Sequence, residues 1–140
     1  MGRQFTLGSQ ERLKSRKLIE QLFKGGKSLH VFPFRVYYLL LKEGPPGGKT
    51  AVNVQCGFGV SSRQFKKAVD RNRVKRVTRE AWRLQKQALT ERMQARPEHL
   101  ALFLVYTGKD LPDFNAVKEK LAVILNKLIT IVDEAGKIHP

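Results

Sequence analysis

The sequence predicts a two-layer α/β domain of the α+β kind, with helices packed on a small mixed sheet of three or four strands. Three observations predict it. Residues 32–42 and 50–60 are runs of aromatic, branched and alternating residues that read as strands. Residues 71–88 and 114–132 carry apolar residues at helical spacing. Residues 100–107 form a short, nearly continuous apolar run of the kind found in a central strand. The element order is α-β-β-α-β-α. At 140 residues this fits one domain, 1–140, with a structured core from about 9 to 134.

The first helix is capped by Ser9 or Ser15 and runs to about Lys24, where Gly25-Gly26 stops it. Leu18, Ile19, Leu22 and Phe23 give it an apolar side. In the first strand, alternation puts Phe34, Val36 and Tyr38 on one face and Arg35, Tyr37 and Leu39 on the other. Residues 43–49, with two prolines and three glycines, form a turn or hairpin loop. In the second strand, Val52, Val54, Cys56, Phe58 and Val60 share one face. Ala51, Asn53, Gln55, Gly57 and Gly59 share the other, and glycines there let another backbone approach closely. The next helix starts near Phe65–Ala68 and fades around Arg92–Arg96 before Pro97. Pro112 suits the first turn of the last helix, with Asp110 or Asp113 near its start. That helix repeats Phe114, Val117, Leu121, Leu125, Leu128 and Val132 and ends before Gly136.

Charge points to a polyanion. The net charge is +15, and all of it lies in residues 1–92; residues 93–140 are neutral. Residues 71–83 alone hold six cations and one carboxylate. On a helix, Arg71, Lys75, Arg76, Arg79 and Arg83 fall on one stripe, extended by Lys86, with Val74, Val77, Ala81, Leu84 and Ala88 opposite. A solvated charged face needs interleaved acids, and only Glu80 is present. Like charges at i,i+4, such as Arg71 with Lys75, disfavour an isolated helix by about 0.2–0.5 kcal/mol each. A bound phosphate backbone offsets that cost. Aromatics near this surface, Phe23, Phe34 and Tyr37 or Tyr38, stack on unpaired bases or fill a core. Trp82 stands beside the basic stripe and serves equally as an RNA stack or as cover for the end of the sheet.

Conventional catalysis is poorly supported. His30, His99 and His139 lie in a loop, a strand edge and the tail, and none has metal-ligand spacing with Cys56 or another His. Cys56, the one cysteine, sits in an apolar alternation and reads as a small buried hydrophobe, which fits a reducing compartment. No apolar run is long enough to span a bilayer, and the first residues hold no continuous apolar stretch. The expected location is cytoplasmic.

The block Arg71-Asn-Arg-Val-Lys-Arg-Val-Thr-Arg-Glu80 resembles the signature of the bacterial ribonuclease P protein family throughout. Trp82-Arg83, Gly57-Phe-Gly-Val-Ser61, Lys67-Ala68 and the first helix ending in Phe23 resemble the family more weakly. The resemblance covers about residues 5–132. It implies an endoribonuclease holoenzyme that removes the 5′ leader of precursor tRNA. Its chemistry resides in an RNA subunit with magnesium ions, so the protein contributes no catalytic residue, binds no metal tightly and is inactive alone. It also implies a left-handed crossover around the basic helix, against the usual rule. The implied RNA-docking residues are Arg71, Asn72, Arg73, Lys75, Arg76, Arg79 and Arg83. The implied leader groove uses Ile19, Phe23, Phe34 and Tyr37, with Arg63, Lys66 and Lys67 at its rim. The implied partners are the catalytic RNA and the leader, with no membrane and no obligate protein partner. Ile19 stands where the family usually has Phe, Ser62 and Gln64 stand near positions that are often Lys, and Lys66 replaces a common Gly.

Other readings make different demands. A ribosomal or chaperone-like RNA binder explains the charge but not the complete Arg-Asn-Arg block. A stand-alone nuclease needs a His or carboxylate constellation. A duplex-DNA reader needs more base-reading side chains than Asn72 on the exposed helix face.

Overall fold

The computed structural model describes residues 12–42, 53–96 and 98–138. The expected loop at 43–49, the start of the 50–60 strand and Ser9 lie outside the described residues. The elements are α1 (Arg16–Gly25), β1 (Lys27–Val31), β2 (Phe34–Leu41), β3 (Val54–Val60), α2 (Ala68–Gln85), α3 (Gln87–Gln94), β4 (His99–Tyr106) and α4 (Phe114–Ile138).

Ser15 caps α1, its side chain accepting from the Leu18 N–H at 3.2 Å. Gly26 ends the helix in an extended conformation, φ −78°. Glycine is needed there for closeness: a Cβ would stand 2.6 Å from the Leu22 carbonyl oxygen. Residues 27–31, where the sequence predicts loop, form β1, a five-residue strand whose short, mixed alternation gives little periodic signal. The tight Phe32-Pro33 turn leads directly into β2.

The sheet order is β1-β2-β4-β3. β1 and β2 pair antiparallel, as do β2 and β4, while β3 pairs parallel with β4. The parallel pair requires a crossover, which α2 and α3 supply. The final apolar run is therefore an interior strand, and His99, at the strand end where the sequence places it, is its buried first residue.

One face of the sheet carries the main core. Phe34 and Val36 from β2, Val54 and Cys56 from β3, and Leu102 and Leu104 from β4 meet Val74 and Trp82 of α2 and Leu121 and Leu128 of α4. The opposite face carries a smaller cluster, in which Leu18 and Leu22 of α1 and Leu13 cover Ala101. Thr78 enters the main core by donating its hydroxyl to the Val74 carbonyl at 2.8 Å.

The buried face of α2 is rotated from the expected one. Val74, Thr78, Ala81 and Trp82 face inward, whereas Leu84, and Ala88 in α3, are exposed. Burying the large indole outweighs burying Leu84. The expected single helix also breaks at Lys86, which is only 4% exposed and so leaves the basic row. Two departures occur at α4. The Val117 N–H bonds the Asp113 carbonyl, so Pro112 precedes the helix rather than opening it. The helix also runs past Gly136 to Ile138. No helix among the described residues is long and apolar enough to cross a membrane.

Candidate nucleic-acid interface

The rotation of α2 decides which cations face outward. With Val74, Ala81 and Trp82 buried, Asn72, Arg73 and Arg76 are exposed, and Lys75, Arg79 and Arg83 are half-buried along the flanks. Arg73, which the simple helical projection leaves off the stripe, joins the outward row. Arg73, Lys75, Arg76 and Arg79 form no ion pair with a described residue. Arg83 is different: it bonds Glu80 through two hydrogen bonds, one from Nε at 3.2 Å. That hydrogen bonding holds the Glu80 carboxyl below the usual range and raises the Arg83 guanidinium. The pair's contribution is present above the ordinary carboxylate pKa and is lost as pH falls through the lowered one. Being exposed, it adds little to stability.

Arg71 has an internal task. Its Nη1 donates to the carbonyls of Phe65 at 2.9 Å and Lys66 at 2.7 Å. The 61–67 segment is held further by the Ser61 N–H on the Tyr106 carbonyl, by the Gln64 and Phe65 N–H groups on the Ser61 carbonyl, and by buried Phe65 against Tyr106. Arg63, Lys66 and Lys67 are thus exposed on an anchored loop at the end of β3.

The second surface is the part of the sheet that α1 leaves open. Phe23 is 46% exposed, and its ring lies edge-on to Tyr37 at 4.7 Å and to Phe103 at 5.3 Å. Ile19 and Tyr37 pack on the smaller cluster beside them. Gly57 and Gly59 make room for Phe103: a Cβ at either would come within 2.6 and 2.7 Å of its ring. The glycines therefore admit an aromatic ring, not the second backbone expected from the sequence. Gly57→Ala is expected to displace Phe103 and cost about 1–3 kcal/mol of stability, read as a lower urea midpoint.

One expectation is corrected here, one pair of alternatives is decided and one residue is added. Phe34 is completely buried against Tyr106 in the main core, on the opposite face from Tyr37, and cannot line the groove. Trp82 is 1% exposed and does not stack on RNA. Phe103 belongs to the aromatic face and was missed, because the continuous apolar run of β4 hides its alternation. The nearby glycines on the adjacent strand were the available signal.

Cys56 is buried, and desolvation raises its thiol well above the usual range, so it stays protonated and poorly nucleophilic. His99 Nε2 lies 3.2 Å from Gln55 Oε1 in the interior. Among the described residues no group of three or more His, Cys, Asp or Glu could hold a metal ion.

An anchored cationic loop, outward arginines and an open aromatic face define an α+β domain suited to holding a polyanion; α1 on one face and α2 and α4 on the other give the sheet helices on both sides, not the two layers expected. Comparison with known proteins makes the class specific. The ribonuclease P family profile matches residues 7–129. A ribonuclease P protein component from Porphyromonas gingivalis is 36% identical over 117 residues, covering 84% of this chain and 82% of that protein. One from Chlorobium phaeobacteroides is 32% identical over 130 residues, covering 88% of each. The solved ribonuclease P protein of Thermotoga maritima superimposes with a TM-score of 0.60 at 28% identity, covering 84% of this chain and 96% of that one. The Staphylococcus aureus protein shares the fold, with a TM-score of 0.62 at 19% identity over 84% and 94% of the two chains. This chain belongs to the ribonuclease P protein family.

Proposed function

We propose that this chain is the RNA-docking and leader-holding subunit of a ribonuclease P holoenzyme, which removes the 5′ leader of precursor tRNA. The observation that carries this reading is outward Arg73 and Arg76, with half-buried Arg79 on their flank, in an intact Arg-Asn-Arg block. These guanidiniums have no carboxylate partner among the described residues, and they suit a folded RNA backbone. Asn72, Lys75 and Arg83 flank them. Arg71 acts by holding the loop that carries Lys66.

The open face takes the single-stranded leader. Phe23, Tyr37 and Phe103 offer aromatic surfaces to unpaired bases, Ile19 borders them, and Arg63, Lys66 and Lys67 attract the phosphates. Mature tRNA lacks the leader, so this contact favours precursor over product. The cations also reduce repulsion between catalytic RNA and substrate, which lowers the magnesium concentration needed. In this reading the magnesium ions and the hydrolysis belong with the RNA subunit.

Tyr37→Ala tests the groove. In the assembled holoenzyme it is expected to weaken precursor binding by about 1–2 kcal/mol, the contribution of one stacked base, and to leave mature tRNA binding unchanged. Equal losses for precursor and mature tRNA, measured as Kd, would argue against a leader groove at Tyr37.

A further inference from the structure

The open face continues beyond Tyr37 to the outer strand. In β1, Leu29 and Val31 pack on the main core, so alternation places Ser28 and His30 on the open side. His30 stands opposite Arg35 on β2, Arg35 opposite Val105 on β4, and Val105 in register with Gly59 on β3. This row neighbours the row Ser28, Tyr37, Phe103 and Gly57.

Beyond His30 the chain turns through Phe32, which is 65% exposed. Its ring lies edge-on to His30 at 6.3 Å. The turn is anchored, because the Pro33 carbonyl accepts from the Thr107 N–H at 2.7 Å and the Thr107 hydroxyl at 3.0 Å. Phe32 therefore presents an aromatic surface on a fixed support. Exposed His30 and Arg35 beside it form no ion pair with a described residue.

We propose that Phe32, His30 and Arg35 form a second nucleotide station, taking an unpaired base and its phosphate from the leader farther along than the part on Tyr37. The proposal rests on the reading of the open face as the leader groove. Phe32 supplies a stacking surface, Arg35 a permanent cation and His30 an N–H donor. β3 and β1 are three strand spacings apart, about 14 Å. Only a leader long enough to cross the sheet reaches this station.

The test uses holoenzymes assembled from a bacterial ribonuclease P RNA and wild-type, Phe32→Ala, Arg35→Ala or Tyr37→Ala protein. Kd is measured for precursor tRNAs whose leaders are shortened stepwise. Phe32→Ala is expected to lose at least about fivefold in affinity with the longest leader, the lower range for one stacked base. Arg35→Ala is expected to lose affinity there and to flatten the salt dependence. Both losses should vanish on short leaders that Tyr37→Ala still binds poorly. Wild-type affinity of Phe32→Ala and Arg35→Ala at every length, with Tyr37→Ala impaired, would overturn the station and leave the groove standing. Losses independent of leader length would place these residues on the catalytic RNA and overturn the station too. If Tyr37→Ala also had no effect, the groove and the station would fall together.

Discussion

Replacing Arg73, Arg76 and Arg79 together by alanine is expected to weaken binding to a ribonuclease P RNA by on the order of a thousandfold. This takes about 1.5 kcal/mol for each charge-assisted bond to phosphate. The slope of log K against log salt should fall by about three, one for each phosphate that no longer meets a guanidinium. The fold should survive, because Arg73 and Arg76 are exposed and no ion pair with a described residue depends on any of the three. Replacing the same residues by lysine keeps the charge and removes the planar fork. That variant should retain the salt slope and lose part of the affinity. Filter binding across a salt series checks both. An unchanged slope in the alanine variant would show that these arginines do not meet phosphates.

Trp82→Ala is expected to have the largest effect on stability. The indole is almost completely buried between α2 and the sheet, in the main core with Leu102 and Leu121. Truncating a buried Trp costs about 3–5 kcal/mol. A domain of ordinary stability has only about 5–15 kcal/mol in total. The urea midpoint should fall sharply, and Trp82→Phe should recover much of the loss. RNA affinity should fall only where the variant unfolds. A stable Trp82→Ala protein with weakened RNA binding would contradict the buried placement.

Much of the architecture was legible because its signals are local. Ser15 and Gly26 bound α1, the alternation of β2 separates Phe34 from Tyr37, and the period of α4 places Val117, Leu121, Leu125 and Leu128 inward. The Arg-Asn-Arg block was legible because residues 71–83 set six cations against a single carboxylate. What could not be read depends on partners distant in sequence. β1 is a strand because β2 pairs with it, since its own five residues carry little pattern. Phe34 and Tyr37 are both aromatic, and only the placement of α1 and α2 on opposite faces separates core from groove. Phe103 joins the groove because Gly57 and Gly59, two glycines on a parallel neighbour, make space for it. Arg71 looked like the other arginines of the row, and its carbonyl partners at Phe65 and Lys66 give it a different task. The helical projection of α2 missed a rotation that packing of Trp82 imposes.

The most direct test of the central claim is cleavage of a precursor tRNA with a labelled 5′ leader at low magnesium. Three reactions are compared: a bacterial ribonuclease P RNA alone, this protein alone, and the two together. Rapid cleavage is expected only in the mixture, at the mature 5′ end, with no cutting by the protein alone. Cleavage by the mixture no faster than by RNA alone, with binding to arbitrary RNAs intact, would contradict it and identify a general RNA binder.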